Sequence, residues 1–124
     1  MDSRELAWAA GLFEGEGCVF PLKKGTCRMA LGTTDKDTLD RFRGAVGVGN
    51  IYLHANRAGR KPIWHWEING YEKVQAVIAM LWFGLGARRR TRARETLLDA
   101  QARTCAHHDP ENHRRAYYRM RRGG

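Results

Sequence analysis

Apolar residues along the chain fall into runs whose spacing switches between that of helices and that of strands. Across residues 6–13 nearly every position is Ala, Leu, Trp, Phe or Gly. With Ser3 placed to cap its start, this run predicts a helix that is apolar on every side and so must be covered on every side. A domain of this size rarely wraps a helix completely, so part of the cover is expected to come from a second copy of the chain. The helix is expected to end near Gly15-Glu16-Gly17, where a glycine can take a left-handed turn.

Residues 18–23 and 27–33 read as two strands of a hairpin around Lys24-Gly25-Thr26, and Pro21 argues for an edge position or a bulge in the first. Thr34 or Asp35 can cap a second helix, in which Leu39, Phe42 and Val46 share one side. Gly44, Gly47 and Gly49 close it. Residues 50–56 and 63–69 form a second hairpin across the polar linker 57–61. In its latter strand Trp64, Trp66 and Ile68 share one face and Ile63, His65 and Glu67 the other. The two tryptophans therefore read as core. A third helix spans 71–83, with Val74, Val77, Ile78, Leu81 and Trp82 at helical spacing. Gly84 and Gly86 break it before a basic helix over 88–103.

The resulting order is helix, strand, strand, helix, strand, strand, helix, followed by a further helix and a basic tail. That order fits an α+β domain with a four-stranded antiparallel sheet and helices on one face, whether a ferredoxin-like nucleic-acid module or another split α+β sandwich. The 124 residues suffice for one domain with a hydrophobic core, and no apolar run is long enough to span a bilayer. The chain does not open on a secretory leader. Three cysteines, Cys18, Cys27 and Cys105, lack C-x-x-C spacing, which fits reduced thiols in a cytoplasmic protein.

Charge narrows the function. The formal net charge is +9, and between residues 88 and 122 eleven arginines face four acids. Arginine outnumbers lysine seventeen to five, and its planar fork suits phosphates and guanine edges. Nucleic acid is the partner this pattern favours. On the expected strands and turns, Lys23, Lys24, Arg28, Tyr52, His54, Asn56, Arg57, Arg60, Lys61 and His65 could meet bases and phosphates. In the tail, Cys105, His107, His108 and His113 have spacing that could bind zinc. The surrounding arginines oppose a cation, and a basic extension over 105–124 following DNA phosphates is the preferred reading.

The chemistry concentrates in residues 9–17, Ala-Ala-Gly-Leu-Phe-Glu-Gly-Glu-Gly. Gly11 and Gly15, four apart, lie on one helical face and permit close approach of another helix. Glu16 would then stand where two such helices end side by side. Carboxylates paired in this way repel unless a cation lies between them, and a hard divalent ion with oxygen ligands is the natural occupant.

Residues 9–17 resemble the LAGLIDADG motif of homing endonucleases. Ala10, Gly11, Leu12 and Gly17 match directly, Phe13 replaces an aliphatic residue, and Glu14 and Glu16 stand for the two aspartates. The order of elements, with Gly-x-Gly-x-Ile at 47–51, follows the αββαββα core of that family, so the resemblance covers residues 6 to about 103. A chain with one motif implies a homodimer whose paired sheets form a saddle over the major groove of double-stranded DNA. The resemblance implies that Glu16 from each subunit, with Gly15 beside it, binds Mg²⁺, for which Mn²⁺ or Ca²⁺ can substitute in binding. It further implies that Ala10, Gly11, Glu14 and Gly15 line the helix pair. A basic residue after the third helix supports the centre, Arg89 in this alignment with Arg88 and Arg90 as register alternatives, and a polar residue near the end of the second strand, Thr33 or Thr34, positions water. The implied function is site-specific double-strand cleavage at a long pseudo-palindromic site. The alternative is a non-catalytic regulator or RNA-splicing factor that keeps the fold.

Overall fold

The computed structural model describes residues 2–23, 26–54, 59 and 61–108, with 104–108 described by backbone only. Lys24, Asn56, Arg57, Arg60, His113 and the side chains of Cys105, His107 and His108 therefore lie outside the described residues. The elements are α1 (Ser3–Glu16), β1 (Gly17–Pro21), β2 (Cys27–Thr33), α2 (Lys36–Val46), β3 (Asn50–His54), β4 (Ile63–Asn69), α3 (Tyr71–Leu81), a single 3-10 turn (Trp82–Gly84) and α4 (Ala87–His108). No helix among the described residues is long and apolar enough to cross a membrane.

Each hairpin pairs internally, and the two join through β2 and β4, so the antiparallel sheet has the order β1-β2-β4-β3. Alternate strand residues, Val19, Met29, Leu31, Trp66 and Ile68, point into one core with the inner faces of the helices. At its centre Phe42 meets the Trp66 ring edge-on, with centroids 4.7 Å apart, and Phe13 stacks beyond Phe42. Trp66 also donates its indole N–H to the Val48 carbonyl at 2.9 Å. Gly49 lies where that indole passes, at φ 122°, and a Cβ there would overlap the ring.

Several boundaries differ from those the sequence predicts. Asp2, not Ser3, caps α1, its carboxylate accepting from the Arg4 and Glu5 backbone N–H groups. Of the two caps the sequence offers for α2, Asp35 is the one used, accepting from the Asp37 N–H and the Thr38 hydroxyl. Helix α1 ends without a left-handed glycine. Gly17 is extended, at φ −86° and ψ 165°, because it is already the first residue of β1, paired with Leu31. A side chain there would run into the Phe13 ring. Helix α3 stops at Leu81 instead of continuing to Phe83, since the chain tightens into a 3-10 turn that brings Gly84 against Ala10. Beyond it α4 runs to His108, past the end near residue 103 that the sequence predicts.

Helices α1 and α2 are clamped by Arg41, which makes a two-pronged contact with Glu5 at 2.8 and 2.9 Å and lies 3.9 Å over the Trp8 ring. That hydrogen bond holds the Glu5 carboxyl below its usual range. The contact is therefore complete above the ordinary carboxylate pKa and is lost as pH falls through the lowered one.

Among the described residues, several arginines of the cluster serve the fold. Arg89, Arg92 and Arg103 of α4 donate to the carbonyls of Gly17, Val19 and Leu22, so α4 lies along the free edge of β1 and satisfies acceptors that no strand reaches. Pro21, on the same edge, has no N–H to leave unpaired.

Candidate functional site

Two surfaces meet where α1 runs into β1. The first is the outer side of α1. Ala9, Ala10 and Phe13 are buried in the subunit's own core, whereas Ala7, Gly11 and Gly15, at spacing of four, are exposed. A Cβ added at Gly11 or Gly15 would meet no atom within 4 Å. The apolar helix is thus left bare along its smallest residues, as its all-round apolar sequence predicts.

Glu16 ends the helix beside this stripe, exposed to solvent. Around it the backbone is tied down. Arg89 donates from Nε to the Glu14 carbonyl at 3.1 Å and from Nη1 to the Gly17 carbonyl, so its guanidinium holds the backbone on both sides of Glu16. A cation against the last carbonyls of a helix also opposes the negative end of its dipole. Arg89 thus ties the end of α1 to the start of β1. The Glu14 carboxylate accepts the Gly86 N–H at 3.0 Å, just ahead of the start of α4, which seats the helix that carries Arg89.

Ala10 and Glu14 thus depart from the expected helix pair. Ala10 is fully buried against Gly84, and Glu14 turns to its own subunit's α4, since the start of α4 offers an N–H within reach. Arg90 also turns inward. It donates to the Trp82 carbonyl at 3.1 Å and lies over the Trp82 ring, in the helical layer and not on the sheet. Arg88 is exposed on a groove of about 930 Å³ between the end of α1, β1 and α4, which Glu14, Gly15 and Cys18 also line. The Thr33 hydroxyl accepts from the Asp35 N–H at 3.3 Å and belongs to the start of α2, while Thr34 is exposed just past β2.

The second surface is the sheet face turned away from the helices. The strand register aligns Phe20, Arg28 and Asn69 in one row, Cys18, Ala30, Glu67 and Asn50 in the next, Gly32, His65 and Tyr52 in a third, and Ile63 with His54 in a fourth. Arg28, Tyr52, His54 and His65, singled out separately by sequence, thus share one face. His65 stacks on Tyr52 at 5.7 Å and lies 4.8 Å from His54. Burial and a hydrogen bond to Glu67 push the Tyr52 phenol pKa up, so it stays a donor. Lys23 and Lys61 are exposed beside the hairpin turns. Sequence reasoning missed Asn50 and Asn69 as members of this face, and it placed Glu67 there by the alternation of β4 without naming it among the DNA readers.

Of the cysteines, Cys27 is buried and its pKa raised by desolvation, which keeps it a thiol, and Cys18 is exposed two residues beyond Glu16. Among the described residues no three His, Cys, Asp or Glu side chains converge within one chain.

No protein-family model and no curated protein matches the sequence. Solved structures do. The group I intron-encoded homing endonuclease I-CeuI, complexed with DNA, aligns at 18% identity and a TM-score of 0.65 over 90% of this chain and 61% of that one. The homing endonuclease I-CvuI, in complex with the I-CreI target in the presence of Mg, aligns at 16% identity and 0.64 over 88% and 73%. The LAGLIDADG meganuclease I-CpaMI, bound to uncleaved DNA, aligns at 15% and 0.64 over 86% of this chain, which spans 41% of its length. At such identities the likeness is one of architecture, and the αββαββα order, the antiparallel sheet and the four helices place this chain in the LAGLIDADG homing-endonuclease fold.

Proposed function

We propose that the protein is a homodimeric, divalent-metal-dependent endonuclease of the LAGLIDADG homing endonuclease family that cleaves double-stranded DNA at a specific site. The observation that carries this reading is Glu16, an exposed carboxylate fixed at the end of α1 between a bare Gly11/Gly15 stripe and a polar, aromatic sheet face. A protein that only bound DNA has no need of a carboxylate there.

The donor chemistry fits a hard cation, because a free carboxylate suits Mg²⁺, with Mn²⁺ or Ca²⁺ as substitutes in binding. One chain supplies only half of such a site, and the second half is Glu16 of another copy, brought close when two α1 helices pack along their small residues. Gly15 would stand beside such an ion. When bound, the ion would polarise a phosphate and lower the pKa of water at the scissile bond. The protein's own part is to hold Glu16 in place through Arg89, to grip the duplex with Arg28, Tyr52, His54, His65, Lys23 and Lys61, and to exclude water along the helix pair. Lys24, Asn56, Arg57, Arg60 and the basic extension after residue 104 add charge to that grip. A domain of this length has a radius of gyration of about 14 Å, so each copy covers about one helical turn of ~34 Å. The dimer then reads a two-fold related pair of half-sites.

The test is incubation of the protein with a randomised duplex library in Mg²⁺. Recovery of one pseudo-palindromic sequence cut on both strands supports the reading. Sequence-selective binding without any cutting supports a non-catalytic regulator instead. The assembly has its own check. Because a Cβ at Gly15 meets no atom of its own subunit within 4 Å, and leucine is a better helix former than glycine, Gly15→Leu is expected to give a folded monomer by light scattering. An unchanged dimer would place the interface elsewhere.

A further inference from the structure

The open sheet face carries an acid at its centre, where a surface built only to attract phosphates would have none. Glu67 Oε2 accepts the Tyr52 hydroxyl at 3.0 Å and lies 3.7 Å from Arg28 Nε. Arg28 Nε in turn donates to Asn69 Oδ1 at 2.6 Å. These four residues occupy adjacent rows on β2, β4 and β3, so they hold one another in place before any ligand arrives. Asn69 takes one of the five N–H donors of Arg28, and the terminal amines remain to address a partner.

A phosphate is a poor partner for this unit, since the Glu67 carboxylate would repel it at close range. A base edge is a better one. In the major groove guanine presents two acceptors, N7 and O6, and its paired cytosine presents the N4 amine as donor. O6 and N4 are hydrogen-bonded to each other across the pair and so lie about 2.9 Å apart. Arg28 and Glu67 likewise stand side by side, 3.7 Å apart at Nε and Oε2, so a donor and an acceptor of this unit can reach neighbouring groups of one pair. An A·T pair would instead set the carboxylate against thymine O4 or its methyl group.

We propose that Arg28 and Glu67 act together to read one G·C base pair in each half-site, Arg28 donating to guanine N7 and O6 and Glu67 accepting from cytosine N4. The inference rests on DNA lying against the open sheet face, as the proposed function requires. Tyr52 and Asn69 are positioning residues that fix the two readers. In a homodimer the same pair is specified twice, at two positions related by the two-fold axis.

Selection of bound sequences from randomised duplexes tests this, with the full chain as wild type, Glu67→Gln and Arg28→Ala, each first shown to keep the wild-type melting temperature. Expected is one symmetric pair of G·C positions in the wild-type profile, with both variants losing about tenfold in discrimination at those positions and at no others. Three results would overturn it: a G·C preference that survives in both variants, losses at different positions, or an Arg28→Ala protein weakened equally on all sequences with a shallower salt dependence, the mark of a phosphate contact. A wild-type protein that enriches no sequence would instead overturn the DNA-reading function itself.

Discussion

Trp66→Ala is expected to lower the melting temperature by roughly 10–25 °C. The side chain is wholly buried, packs edge-on against Phe42 and is the hydrogen-bond partner of the Val48 carbonyl. Truncating a buried aromatic costs about 3–5 kcal/mol, a large share of the 5–15 kcal/mol by which a domain is stable. It would also leave the Val48 carbonyl without its donor. Relaxation into the space is restricted because Gly49 has no side chain to fill it. Thermal unfolding followed by circular dichroism measures the effect, and a shift of only a few degrees would mean that the centre of the core lies elsewhere.

Glu16→Gln carries the largest expected effect on activity, a loss of about 10³-fold or more in cleavage rate, which corresponds to several kcal/mol of lost metal-dependent stabilisation. Glutamine keeps the length of the side chain and removes the charge that would hold the ion. Since Glu16 is exposed at the end of α1, the melting temperature should not change, and duplex affinity should stay within a few-fold. Single-turnover cleavage and a gel-shift titration on the same duplex separate the two quantities. Equal cleavage by variant and wild type would remove Glu16 from the chemistry.

The parts of the molecule set by local pattern were legible in the sequence. The alternation of β4 placed Trp66 and Ile68 inward and His65 outward, and the spacing of Leu39, Phe42 and Val46 gave the buried side of α2. The exposed small residues of α1 and the carboxylate at its end were legible as well, because both lie within one short run of sequence. Contacts between residues far apart in the chain were not. Nothing local to Glu14 says that its carboxylate reaches Gly86, or that Ala10 is consumed by Gly84. The arginines of α4 read as a uniform basic surface, yet Arg89, Arg92 and Arg103 are aimed at carbonyls along β1. Only the docking of α4 against that strand edge decides which of these arginines stay exposed. The pairing of Arg28 with Glu67 likewise depends on strand order, which hairpin signals alone do not specify.

On the proposed function, one chain carries half of a metal centre and two Glu16 carboxylates complete it. A heterodimer of one wild-type and one Glu16→Gln subunit, purified through two different tags and supplied with a selected duplex and Mg²⁺, tests it directly. Double-strand cleavage is expected to fall to the level of the doubly substituted dimer. Double-strand breaks at half the wild-type rate or more would contradict a shared centre.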